Sequence, residues 1–245
     1  MPEGPSIVIL KDEAASLAGR RVLRVSGNTR IEKERMVRQV VRGFDSWGKH
    51  FLVRFDAFTL RVHFMLWGSW RIDERREGRE PRLSLGFARG RELNFYACSV
   101  RFIDSPLDDI YDWSADVLSD SWNPRAATRK LRAAPQTLAC DALLDQNVFA
   151  GVGNIIKNEV LFRIRVHPES QVGALPRAKL AALVREARNY SFDFLAWKRA
   201  FVLRKHWLMH TKRTCPRCGG PVSLKHLGRT QRRTFWCPNC QPRYD

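Results

Sequence analysis

DQNVFAGVGNIIKNEVLF, residues 145–162, sets Gly151, Gly153 and Asn154 directly ahead of a run with the character of a helix. Small residues at such a junction leave backbone N–H groups open, and a helix N-terminus favours an anion. A dinucleotide fingerprint would need a preceding strand and a third glycine, and neither is present. From these residues alone, a tight helix–helix connection without a ligand reads as well as a phosphate site. The charge of the chain tips the reading towards phosphate. Forty-three Lys+Arg against 25 Asp+Glu give a net +18 over 245 residues, a strong attraction for polyanions, nucleic acid first among them.

Helical signals surround this segment, at 124–133, 137–145, 154–163, 176–190 and 191–208. Beyond them the chain closes with CPRC, eighteen intervening residues and CPNC. Cys215, Cys218, Cys237 and Cys240 have the spacing of a two-knuckle zinc ribbon, in which four thiolates close a tetrahedral structural site with no open position. Two disulfides are the alternative, and a cytoplasmic chain would not keep them. Cys98 and Cys140 sit among apolar neighbours and read as small core residues.

Upstream the pattern differs. Residues 6–18 are apolar at helical spacing, with Gly19 as a stop. From about 21 to 104, short β-branched and aromatic segments follow: RVLRV, HFLVRF, TLRVHFML, RLSLGF, ELNFYAC and VRFI. Their turn-rich breaks predict an antiparallel sandwich or barrel. A helical lobe after a β-lobe, joined near 105–122, makes an α+β chain of two lobes plus a terminal ribbon, divided as 1–115, 116–210 and 211–245. No apolar run reaches membrane-spanning length and the N-terminus lacks the order of a signal peptide, so the expectation is a cytoplasmic protein without a membrane partner.

Several other residues are chemical candidates. Met65, Leu66 and Trp67 stand at a predicted strand end before a glycine, where apolar wedges can enter a base stack, although most such residues are core. Arg101 and Phe102 put a cation beside a ring, or are simply alternating residues of one strand. Lys49 lies between a glycine and a strand, and Arg232 and Arg233 would ride on the ribbon hairpin, where a guanidinium can be aimed at a phosphate. The opening MPEGP places Pro2 and Glu3 behind the initiator methionine. Removal of Met1 would leave a secondary amine beside a carboxylate, whereas proline is also an ordinary helix starter.

Taken in order, MPEGP, GKHFLV, AGVGN and RRTFWCPNCQ resemble the formamidopyrimidine-DNA glycosylase and endonuclease VIII family of base-excision repair enzymes. The resemblance spans nearly the whole chain. It implies an N-terminal antiparallel β-sandwich flanked by helices, a helix-two-turn-helix domain and a structural Zn²⁺ ribbon. It also implies a monomer acting on double-stranded DNA that carries damaged bases or abasic sites. Pro2 would be the nucleophile, forming a Schiff base that leads to base release and β,δ-elimination, and Glu3 the acid in opening the sugar ring. Lys49 would contact phosphate and assist at the sugar, Arg232 would grip phosphates flanking the lesion, and Asn154 with Gly153 would bind phosphate at the helix-two-turn-helix.

Gly4, and the lack of a glycine-rich insert before the ribbon, resemble the endonuclease VIII branch and favour oxidised pyrimidines. Arg101-Phe102 instead resembles the pair with which the guanine-lesion branch reads the orphaned base, and Met65-Leu66-Trp67 falls at the endonuclease VIII wedge with only the leucine retained. Ser6 replaces the glutamate usual in both branches. That change raises the alternative of an abasic-site lyase with little glycosylase activity. A non-catalytic damaged-DNA-binding homologue is a further alternative, against which the presence of Pro2, Glu3 and Lys49 together argues.

Overall fold

The computed structural model describes residues 2–245, which form two compact units, one ending at Tyr111 and the other running Asp112–Asp245. In the first unit, helix α1 (Gly4–Ala14) starts with Pro5 in its first turn, where the missing N–H costs nothing. Six strands follow: β1 (Arg24–Ser26), β2 (Gly43–Trp47), β3 (His50–Arg54), β4 (Thr59–Ile72), β5 (Leu83–Gly86) and β6 (Glu92–Ile103). The short helix α2 (Leu107–Ile110) closes the unit.

The strands make one antiparallel sheet in the order β1-β5-β6-β4-β3-β2. Both layers of the expected sandwich come from this single sheet. The rings of Phe51 on β3 and Phe95 on β6 meet at 5.9 Å, although β4 lies between their strands and a flat sheet would hold them about 10 Å apart. The sheet therefore folds over, enclosing Phe51, Val53, Leu60, Val62, Leu83, Leu85 and Phe95, with Ile7, Leu10 and Ala14 of α1 in the same core.

The fold-over occurs where β4 and β6 lose register. Phe64 pairs with Cys98 and Ser69 with Tyr96, so residues 65–68 of β4 face only Ala97 of β6. Ala97 takes a left-handed φ of 46° there. Extra residues on one strand bend it and increase its twist. This bulge also explains two differences from the sequence expectation. Alternation breaks at Ala97, so ELNFYAC and VRFI read as two segments although they are one strand, and β4 continues to Ile72 past the expected end at Leu66. Strand β2 was not expected because Asp45 and Ser46 interrupt its apolar pattern.

The second unit contains α3 (Pro124–Ala133), α4 (Ala139–Ala142), α5 (Asn154–Ile164), α6 (Arg177–Arg199) and a hairpin of β7 (Ser223–Leu227) and β8 (Arg232–Trp236). Helix α6 is continuous where two helices were expected. No breaker lies at 190–191, and the helix ends only near Phe201, which has a positive φ of 58°. Its core is separate from that of the first unit and includes Val117, Leu131, Phe149, Ile156, Leu183 and Tyr190. Among the described residues, no helix is long and apolar enough to cross a membrane.

Gly68 makes the bulge possible: a Cβ there would stand 2.6 Å from Phe64 Cβ and 2.8 Å from the Ala97 carbonyl oxygen. Gly68→Ala should lower stability by about 1–3 kcal/mol, read as a reduced urea midpoint. An unchanged midpoint would show that the bulge relaxes without cost.

Candidate functional site

The chain enters the first unit through Pro2, which is half-buried, and Glu3, which has no exposed surface. Glu3 is the extended residue ahead of α1, and its carbonyl accepts the Ser6 N–H at 2.8 Å. Ser6 itself is 2% exposed in the first turn. Packing of Ile7 and Leu10 in the sheet core fixes where this helix begins, and with it the backbone of Pro2 and Glu3.

Lys49 occupies a two-residue turn between β2 and β3, closed by the Trp47–His50 pair. Gly48 precedes it with φ 54°, the conformation required of the first residue in a Gly-X hairpin turn. The side chain of Lys49 is partly exposed beside the outer face of the sheet. On that face, His50 pairs with His63 and Arg61 pairs with Arg101. Inward positions of the same strands carry Leu60 opposite Phe102 and Val62 opposite Val100.

Two arginines directly opposite each other oppose sheet formation. Burial and the facing Arg101 pull the Arg61 guanidinium below its ordinary range, while the Tyr111 phenol acts in the opposite direction. Burial pushes His50 down to about 3, with Arg61, His63, Arg101 and Lys49 adding to the shift. His63 is lowered by burial and then by Lys49 and Arg61. His50 Nδ1 and the Tyr111 hydroxyl lie 3.2 Å apart, and the two histidine rings meet edge to face at 5.3 Å. The result is a cationic face whose imidazoles are neutral near pH 7. Of these, Lys49 and Arg101 were singled out from the sequence; His50, Arg61, His63 and Tyr111 were not, although the alternation in Arg61-Val62-His63-Phe64 carries the signal.

Met65, Leu66 and Trp67 form the crest of the bulge rather than a strand end. They are 56%, 50% and 82% exposed, and three adjacent large apolar side chains in water mark a contact surface. Of the two readings of Arg101 and Phe102, as a cation beside a ring or as alternating residues of one strand, the structure shows the second. They are successive residues of β6 on opposite faces: Arg101 is exposed, whereas Phe102 packs edge to face on Phe58 under the Arg35 guanidinium. Strand alternation separates them.

In the second unit, Gly153 is the extended residue before α5 and has no side chain with which to cap it. Asn154 is 6% exposed, and its Nδ2 donates to the Arg233 carbonyl at 2.9 Å. One turn on, Lys157 Nζ donates to Thr234 Oγ1 at 2.7 Å, and Asn158 Oδ1 accepts the Phe235 N–H at 3.3 Å. Glu159 accepts the N–H groups of Leu208, Met209 and His210 at 2.9, 2.9 and 2.7 Å. Asp141 accepts the Arg229 N–H through both oxygens, at 2.9 and 3.1 Å. Glu159 thus holds the segment leading into the ribbon, and Asn154, Lys157, Asn158 and Asp141 fasten the hairpin on which Arg232 opens β8.

Cys215, Cys218, Cys237 and Cys240 converge with their sulfurs within 4.8 Å of one another, and could hold a metal ion. Cys98 and Cys140 are core thiols, pushed by burial up to about 12 and about 11.

Residues 1–99 match the Formamidopyrimidine-DNA glycosylase N-terminal domain, and residues 114–190 match the Formamidopyrimidine-DNA glycosylase H2TH domain. The chain belongs to the formamidopyrimidine-DNA glycosylase and endonuclease VIII family. It is 38% identical to Endonuclease 8-like 2 of Bos taurus over 200 residues, covering 75% of this chain and 58% of that protein. Against Endonuclease 8-like 3 of Mus musculus it is 31% identical over 210 residues, covering 82% of this chain and 34% of that protein. It thus spans about a third to somewhat over half of these curated relatives.

The fold matches a Lactococcus lactis formamidopyrimidine-DNA glycosylase crystallised non-covalently bound to DNA containing an abasic site, with a TM-score of 0.86 and 21% identity over 98% of this chain and 99% of that one. A viral DNA glycosylase matches with a TM-score of 0.85 and 20% identity over 98% and 100% of the two chains. Within this family fold, the first unit holds Pro2, Glu3, Lys49, the 65–67 crest, Arg101 and Phe102. The second holds Gly153, Asn154, Arg232 and the four clustered cysteines.

The neutral imidazole of His50 has a consequence for stability. An unfolded histidine takes up a proton near 6.5, whereas folded His50 resists until about 3. As pH falls through that window only the unfolded chain gains the proton, so stability drops by up to about 1.4 kcal/mol per pH unit. The loss in urea midpoint on acidification should therefore be smaller in His50→Gln than in the unaltered protein. His210, lowered to about 4 by burial, contributes equally to both; equal losses would count against a neutral buried His50.

Proposed function

We propose that this protein is a bifunctional DNA glycosylase and abasic-site lyase that removes oxidised bases, pyrimidines favoured, from double-stranded DNA. The observation that carries the reading is Glu3, a carboxyl group with no exposed surface beside Pro2. Once Met1 is removed, Pro2 is a secondary amine with an acid next to it. Family membership, the cationic outer face of the sheet and the exposed 65–67 crest support the same reading.

In this chemistry the Pro2 nitrogen attacks the sugar C1′. The C1′–N bond to the damaged base breaks, and its electron pair leaves with the base, which takes up a proton. Glu3 delivers a proton to the ring oxygen as the sugar opens, and a cationic iminium remains. That electron sink acidifies C2′–H; loss of the proton expels the 3′ phosphate, and a second elimination expels the 5′ phosphate. Water hydrolyses the iminium and frees Pro2. Lys49 binds phosphate at the reacting sugar, and Arg232 and Asn154 bind phosphates of the strand. Met65, Leu66 and Trp67 fill the base stack where the nucleotide is extruded, and Arg101 meets the opposite strand. The protein works as a monomer.

The four cysteines suit a structural Zn²⁺. Sulfurs at about 2.3 Å from a tetrahedral ion stand about 3.8 Å apart, and the Cys215–Cys240 and Cys218–Cys237 pairs are 3.9 and 3.5 Å apart. Zinc would hold the hairpin that carries Arg232 and would enter no chemical step. Cys237→Ser should lower zinc from one per chain on elemental analysis and weaken duplex binding; unchanged zinc content would refute the assignment.

Ser6 supports a second reading, an abasic-site lyase with little base excision. Borohydride reduction of the iminium on matched duplexes carrying an oxidised pyrimidine, 8-oxoguanine or an abasic site separates the two. Trapping on the oxidised pyrimidine supports the first reading, trapping on the abasic site alone the second. Tight duplex binding with no trapping would leave a non-catalytic damage-binding protein. Pro2→Gly should sharply reduce trapping, and Glu3→Gln should slow it by about 10²–10⁴-fold; full rates in both would remove the proposed nucleophile and acid.

A further inference from the structure

A second cationic feature lies within the helical unit, on residues that the proposed chemistry does not use. Helices α3 and α6 enclose a groove of about 700 Å³, within the size range of specific binding sites. Arg125, Arg129 and Arg132 line it from one face of α3, and Arg185 and Arg188 from α6. The three arginines of α3 are exposed and have no ion-pair partner among the described residues. Arg188 is held in place by donating to the Val117 and Ser119 carbonyls at 3.0 and 2.9 Å. Among the described residues no carboxylate lines the groove. Like charges one turn apart weaken a helix, so this row works against α3 itself.

We propose that this groove docks an acidic protein segment carrying a bulky apolar residue. Guanidinium groups bind carboxylates in bidentate fashion, and an apolar floor within a charged rim is the anatomy of a protein interface. The apolar lining includes Val184, which is 4% exposed, and Trp122. Two observations weigh against nucleic acid as the occupant. Single strands bind on open aromatic faces, but the Trp122 ring packs on Phe149 with centroids 5.9 Å apart. Phosphates seek open helix N-termini, but Asn123 Oδ1 already accepts the Arg125 and Ala126 N–H groups, both at 3.0 Å.

The test uses the whole protein and a short fluorescein-labelled peptide alternating glutamate with leucine, followed by fluorescence anisotropy. A labelled single-stranded oligonucleotide is measured in parallel. The double variant Arg125→Glu/Arg129→Glu should weaken peptide binding by about tenfold or more. Ala181→Trp, at an exposed position on the groove wall, fills the floor without changing charge and should weaken it too, while oligonucleotide binding is unaffected by either. Four results overturn the proposal: no peptide binding by the unaltered protein, peptide binding indifferent to both changes, loss from the charge reversal alone, or loss of oligonucleotide binding in both variants. Because lesion cleavage does not use these residues, its failure and the failure of this proposal are read separately.

Discussion

Lys157 has no exposed surface, and the organisation of the helical unit depends on where its amino group finds a partner. Its bond to Thr234 Oγ1 ties a helix in the middle of the chain to a hairpin near the end. A buried donor deprived of its partner costs about 1–3 kcal/mol. Asn154 and Asn158 fasten the same hairpin from neighbouring turns of α5, and Asp141 fastens its tip. Gly228 is part of that constraint, since a Cβ there would run into the Asp141 carboxylate. The hairpin that carries Arg232 is thus located by several polar bonds that must all be satisfied together, and four cysteines close it from the other side.

Apolar burial organises the first unit in a different way. Phe51, Phe64 and Phe95 meet inside a sheet that turns back on itself. The four-residue bulge that permits this turn also lifts Met65, Leu66 and Trp67 into solvent. One local irregularity therefore shapes the core and presents the contact surface. The opposite face of the same strands holds Arg61 against Arg101 and keeps two imidazoles neutral beside them. That arrangement costs stability on its own terms, and an anionic partner at that face would offset the cost. Local choices that work against the fold concentrate where proteins bind something.

Much of this was legible in the residues. The helix after Gly153, the β-rich half, the cysteine spacing and the core character of Cys98 and Cys140 all follow from short-range pattern, because turn chemistry and side-chain period act over a few residues. The limits of β4 and β6 did not follow, since a bulge shifts the alternation on which strand reading depends. For Arg101 and Phe102 two readings stood open, and the structure shows the alternating one, because adjacency in sequence is separation in a strand. Helix α5 itself was legible, but nine of its eleven positions are buried, and the burial of Lys157, Asn158 and Glu159 was not, since no amphipathic stripe marks which residues of such a helix face the interior.

The sequence by itself determined the family, the two-part α+β organisation, the cluster of four cysteines and the basic character of the chain, because motif order, spacing and charge are properties of the covalent chain. Only the tertiary structure decided that both sheet layers are one folded sheet and that the polar face of α5 grips the hairpin. It alone brought Arg61, Arg101, His50 and His63 to one face, and lined a groove with arginines from helices some fifty residues apart in sequence. Each of these depends on which distant segments share a solvent-free space, and no local pattern encodes a partner that arrives from elsewhere in the chain.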